Sequence, residues 1–147
     1  MKKFAIFAAS MLGCAMMSAQ PAPGSFEQTW TRGPEWLRDG VIYQVYPSSY
    51  KDSDGNGIGD IRGVISELDY IESLGVRAIW FNPLFVSGWI DGGYDVIDFY
   101  RVDPRFGTNN DMVELIEKAH AKGIKVMLDL VAGHTSDKHP WFIQSSQ

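Results

Sequence analysis

The chain has 147 residues, is 45% hydrophobic and 13% aromatic, and carries a net charge of −5. Those values exclude a disordered polymer and a coiled coil. The acidic balance, with no Lys/Arg run, argues against nucleic acid as a partner.

Chain order begins with a targeting pattern. Lys2 and Lys3 form a positive start, Phe4 to Met17 is apolar with small residues, and "MMSAQPAP" offers a cut after Ala19. That is the layout of a secretory signal peptide over 1–19. A membrane span is disfavoured, because the apolar run is well short of the ~20 residues a bilayer needs. The only cysteine, Cys14, lies inside the signal, in a "MLGC" stretch that is a poor lipidation box. Membrane attachment is expected only if Cys14 is lipidated. The exported protein is otherwise cysteine-free, so core packing or a metal must stabilise it in place of disulfides. Residues 20–35 are a Pro-rich leader, and the folded domain is expected over 36–147.

"VIYQVYP", 41–47, predicts a strand ended by proline. Residues 60–75 place Ile61, Val64, Leu68, Ile71 and Leu74 at helical spacing, with Gly75 as the stop. "VRAIWFNP", 76–83, predicts a second strand, and 84–107 is a long glycine- and aromatic-rich excursion. A second helix is predicted over 108–123: Thr108 caps it with Asp111 three residues on, Met112, Leu115, Ile116 and Ala119 face inward, and Gly123 ends it. A third strand starts at Ile124. The order β-α-β-α-β, with strands apolar on both faces, implies a parallel sheet covered by helices. The unusual polar residues all follow strands. Both a (β/α)8 barrel and a doubly wound sheet place their sites there.

Three stretches stand out. In "DSDGNGIGD", 52–60, Asp52, Asp54, Asn56, the Ile58 carbonyl and Asp60 match five ligand positions of an EF-hand. The closing bidentate Glu is missing, since Gly63 stands there, so an EF-hand is rejected. Hard oxygen donors without His or Cys favour Ca²⁺, with Mg²⁺ second; the alternative is a polar glycine turn that binds nothing. "IDGGYD", 90–95, taken alone, reads as a glycine-rich surface loop with incidental acids. Asp129 and His134, near the third strand's end, are residue types that bind metal or catalyse, but taken alone His134 reads as a satisfied polar residue. His120 and His139 read as surface residues.

"VIYQVYPSSYKDSDGNGIGDIRGV", "DGGYDVIDFYRVDPRFGT" and "GIKVMLDLVAGHTS" together resemble the α-amylase family of glycoside hydrolases, and its α-glucosidase/oligo-1,6-glucosidase branch most. The motifs stand in the family's order and spacing from Trp36 to His139. The resemblance implies the N-terminal β-α-β-α-β portion of a TIM barrel, incomplete in this chain, since a whole barrel takes ~250 residues. It implies that the 52–60 loop binds a structural metal, that Asp91 hydrogen-bonds hydroxyls of the terminal glucose, and that Tyr94 stacks on that sugar. Asp95 and Asp98 hold the loop, His134 donates to the sugar's 6-hydroxyl, and Asp129 is a buried support for catalytic groups on later strands. Gly133 replaces the family's usual Asn, a calcium ligand in α-amylases, so no second metal site is expected. The family's nucleophile and acid/base follow its fourth and fifth strands, beyond Gln147. The expected function is part of an exported retaining α-glycosidase acting on α-glucosides or maltooligosaccharides, the 147-residue chain alone being inactive. The alternatives are a transglycosylase or isomerase of the same superfamily, such as a trehalose synthase, and a non-catalytic, calcium-stabilised carbohydrate-binding fragment.

Overall fold

Three short strands lie side by side, all parallel, in the order β1 (Ile42–Val45), β2 (Ala78–Phe81), β3 (Lys125–Leu128); β2 is central and pairs Ile42 with Ala78 and Ala78 with Lys125. The computed structural model describes residues 33–147. The signal peptide, Cys14 and all but the end of the leader lie outside the described residues. Pro34–Gln147 forms one unit. No helix among the described residues is long and apolar enough to cross a membrane.

Helices cover the sheet where periodicity placed them. The first crossover carries α1 (Ile61–Ser66) and α2 (Leu68–Ser73), and the second carries α3 (Asn109–Ala121). Ile61, Val64, Leu68 and Ile71 are buried and join Met112, Leu115, Ala119, Ile79 and Phe81 in one core. Burying each large apolar side chain contributes about 1.5–3 kcal/mol. Two expectations for the first helix fail. The 60–75 segment breaks at Glu67, where ψ rises to 6° and the helix restarts. Leu74 is 45% exposed instead of core, because it caps the helix just before the turn at Gly75, whose φ is 72°.

Termini are set by side chains. Asp60 caps α1, its Oδ1 accepting the Gly63 N–H at 2.7 Å. Gly63 sits where the helix meets the Lys51 carbonyl, and any side chain there would collide with that backbone. Thr108 and Asp111 form a reciprocal capping box on α3: Thr108 Oγ1 accepts the Asp111 N–H, and Asp111 Oδ2 accepts the Thr108 N–H. Arg62 of α1 reaches Asp111 Oδ1 at 2.6 Å, tying the two helices.

The excursion 84–107 holds an antiparallel pair that the sequence pattern did not announce: β4 (Phe85–Ser87) and β5 (Val96–Val102), with register shifts on both sides of Val86. The apolar residues of 96–102 come in adjacent pairs, Val96–Ile97 and Phe99–Tyr100, on either side of Asp98, so no period of two is visible. Beyond β3, a last short helix, α4 (Pro140–Ser145), begins at His139. His139 is only 6% exposed, against the surface reading. Its Nδ1 accepts the Trp141 N–H at 3.1 Å, and its ring lies 4.5 Å from the Trp141 ring centre.

Candidate active site and metal loop

The C-terminal ends of the three parallel strands are joined by side chains. Gln44 of β1 donates from Nε2 to Asn82 Oδ1 at 3.0 Å, just past β2. Asn82 Nδ2 lies 3.4 Å from Tyr94 Oη, and the Tyr94 hydroxyl donates to Asp129 Oδ2 at 2.8 Å, just past β3. The Asp129 N–H in turn donates to the Phe81 carbonyl at 3.2 Å. The bond to Asp129, with burial second, pushes the Tyr94 hydroxyl's pKa above its ordinary value of 10.0. The phenol therefore keeps its proton and stays a donor.

Tyr94 and Asp129 are thus brought together. Asp129 is half-buried, where the resemblance implies a buried group. The physical reason is that β3 is an edge strand of this sheet: Leu128 beside it is 41% exposed and Leu130 is 78% exposed. Asp91 is exposed. Its carbonyl accepts the Tyr94 N–H at 2.9 Å, while its own N–H donates to Asp95 Oδ1 at 3.3 Å. Asp95 also accepts the Ile90 N–H, so both its oxygens serve the backbone of the 88–95 loop. Asp98 accepts the Tyr100 N–H and pairs with Arg101 at 3.7 Å. His134 is exposed and shares no hydrogen bond with the Tyr94–Asp129 pair. It lines a cleft of about 660 Å³ with Leu130, Trp141 and Phe142. Gln44 and Asn82 escaped the sequence reading. The available signal was a lone amide within or just after an otherwise apolar parallel strand.

The loop 52–60 is built differently. Asp52, Asp54 and Asp60 each place a carboxylate oxygen within 4.8 Å of the others. Asp52 Oδ1 accepts the N–H groups of Asp54 and Gly55, and its Oδ2 accepts that of Gly57 at 2.7 Å. These bonds, Gly57's first, hold the Asp52 carboxyl below its ordinary value of 3.8. Asp54 accepts from both nitrogens of Asn56, whose Oδ1 takes the Ile58 N–H. Asp60 Oδ2 accepts from the N–H and the hydroxyl of Ser53. Gly55 and Gly57, at φ 81° and 90°, make the folded-back path possible. Ile58 is half-buried and packs its side chain on the core, leaving only its backbone for the loop. Three carboxylates this close repel one another unless a cation neutralises them. Their oxygen-only donor set fits Ca²⁺.

The family described as alpha amylase, catalytic domain, matches residues 44–147. An oligo-1,6-glucosidase of Heyndrickxia coagulans is 50% identical over 111 residues, which is 76% of this chain and 20% of that protein. Among solved structures, a trehalose-6-phosphate hydrolase of Bacillus licheniformis aligns with a TM-score of 0.75 and 48% identity, over 78% of this chain and 20% of its own. An isomaltulose synthase of Protaminobacter rubrum aligns with the same TM-score of 0.75 at a lower identity of 43%, over 78% of this chain and 21% of its own. The chain therefore spans about a fifth of the length of these proteins.

Proposed function

Because the chain belongs to the alpha-amylase family, we propose that residues 36–147 form the opening barrel strands of a retaining α-glycoside hydrolase acting on α-glucosides or maltooligosaccharides. The observation that carries this reading is the chain Gln44–Asn82–Tyr94–Asp129, which spans all three strand ends on the face where barrels bind substrate. It fixes the Tyr94 ring and leaves its face to a sugar, while the neighbouring Asp91 carboxylate accepts from hydroxyls. A sugar offers an apolar face and polar edges, so this pairing suits it. His134 supplies a further donor once sugar is bound. Retention requires two carboxylates about 5–5.5 Å apart, and neither is assigned to a residue of the described chain.

The loop Asp52, Asp54, Asn56, Ile58 and Asp60 would hold Ca²⁺, with Mg²⁺ as the weaker fit. The ion would supply positive charge that keeps the carboxylates together, and it takes no part in bond breaking. Export is read from the 1–19 pattern. Mass spectrometry of the mature N-terminus tests it: a start at Gln20 supports secretion, and an acylated Cys14 makes the protein a lipoprotein instead.

The principal test is turnover by the full-length enzyme. Release of glucose from 4-nitrophenyl α-glucoside or an α-1,6-linked oligosaccharide is expected, and Tyr94→Phe should lower kcat/KM about 5- to 10-fold through the lost hydrogen bond. No release from any α-glucoside would overturn the reading. The match in TM-score to an isomaltulose synthase favours isomerisation as the second reading. Chromatography of products from sucrose separates the two: free glucose and fructose for hydrolysis, a rearranged disaccharide for the synthase.

A further inference from the structure

Signs of stored strain collect at one place, the base of the loop that carries Asp91 and Tyr94. Trp89 has φ 56°, the sole non-glycine residue at positive φ among the described residues. The β4–β5 register shifts beside it, on both sides of Val86. The three buried side-chain polar atoms without a partner among the described residues are Ser87 Oγ, Trp89 Nε1 and Arg105 Nη1. Strain of this kind persists only where the surroundings over-determine it, and it gathers at functional sites.

What over-determines Trp89 is visible. Its ring meets the edge of buried Phe106 at 5.5 Å and carries the Arg105 guanidinium at 4.5 Å. Arg105 is aimed by Asp103, which is 3% exposed: one oxygen accepts the Arg105 N–H at 3.0 Å and lies 3.7 Å from its Nε. The other oxygen of Asp103 accepts the Ser87 N–H at 3.3 Å. Asp103 thus grips both β4 and the residue that clamps Trp89. Above Trp89, Asp95 gathers the N–H groups of Ile90 and Asp91. Trp89 packs against the core beside Phe106, but that packing does not by itself call for a left-handed backbone or a guanidinium over the ring.

We propose that Arg105, oriented by Asp103, is a positioning residue: it clamps Trp89 and so sets the loop 88–95 in the conformation that presents Asp91 to substrate. The proposal rests on the glycosidase reading for its kinetic consequence alone. The clamp acts on loop position and not on the reacting atoms. Its loss should therefore weaken substrate binding while leaving chemistry in the bound complex nearly intact.

Two measurements on the full-length enzyme test it. In Arg105→Met, amide hydrogen exchange over 88–95 should speed up at least about tenfold, with 52–60 and α3 unchanged. KM for 4-nitrophenyl α-glucoside should rise about 2- to 30-fold, the span of a cation–π contact, with kcat within about twofold. Arg105→Lys keeps a cation over the ring and should recover part of both losses, whereas a purely structural fault would not be rescued. Wild-type exchange over 88–95 in Arg105→Met, or faster exchange spread evenly over 42–128, overturns the proposal. If the wild-type enzyme turns over no α-glucoside, the glycosidase reading fails and the exchange result still decides the clamp. If Asp91→Ala cuts kcat/KM while Arg105→Met leaves KM and exchange unmoved, the reading stands and the clamp falls.

Discussion

Two loops of similar composition, 52–60 and 88–95, follow strands of one domain and use their acids in opposite ways. In the first, Asp52, Asp54 and Asp60 converge and give most of their oxygens to the loop's own N–H groups, Asp60 Oδ1 alone turning away to cap α1. In the second, Asp95 does all of that work, and Asp91 is left with its carboxylate toward solvent. A self-contained acidic loop is suited to a cation. A loop with one acid for itself and one to spare is suited to a substrate. Composition alone does not separate them; the hydrogen-bond partners do.

The largest effect expected from breaking this contrast is at Asp91. In the full-length enzyme, Asp91→Ala should lower kcat/KM by about 10- to 150-fold, the loss of hydrogen bonds to a charged group worth about 1.5–3 kcal/mol. The melting temperature should hold, because the carboxylate supports no backbone in the loop. A large fall in melting temperature with normal kinetics would exchange the two loops' roles.

Next in size is the metal. At free Ca²⁺ a hundredfold above Kd, binding to the native state alone stabilises by about 2.7 kcal/mol. Calorimetry with Ca²⁺ against a chelator should show that gain in the wild type. The same scan on Asp54→Ala should show little of it. Equal melting temperatures with and without the ion would make 52–60 a glycine turn and nothing more.

A smaller effect sharpens the contrast from outside both loops. Asp111 caps α3, and its bonds from the Thr108 hydroxyl, foremost, and from the Thr108 N–H and Arg62 hold its carboxyl below the ordinary 3.8 despite burial. A depressed carboxyl stabilises the fold above its unfolded pKa, and that contribution is lost as pH falls through the folded value. Stability from this group should therefore be level from neutral pH down to about 4 and drop below it. Asp111→Asn should remove that acid-limb slope and cost about 1 kcal/mol at pH 7. An unchanged slope in urea titrations between pH 2 and 5 would show that the cap is not a source of acid sensitivity.

Much of this is legible in the amino-acid sequence. The helix on α3 was readable because its cap, its inner stripe and its stop all agreed. The strands were readable as apolar runs closed by proline or glycine, and the 52–60 loop by its oxygen spacing. What stayed hidden has physical causes. The β4–β5 pair lacks polar alternation because Phe99 packs against Phe85 and Trp141 while the next residue, Tyr100, is an aromatic left on the exposed face. The break at Glu67 is invisible to periodicity, since Val64, Leu68 and Ile71 keep helical spacing across it. Gln44 and Asn82 were passed over because an amide on a strand looks incidental until its partner 38 residues away is placed beside it. His139 looked like a surface residue before proline, and only the aromatic neighbours that cover it reveal the cap.

The central claim is that the cation loop stabilises and the sugar loop binds, each without the other's task. Turnover by full-length Asp54→Ala tests it most directly, measured well below that variant's melting temperature with its folded state checked by circular dichroism. The claim requires kcat within about twofold of wild type, alongside a lost response to Ca²⁺. Abolished turnover in a fully folded sample would place the cation in the chemistry and contradict it.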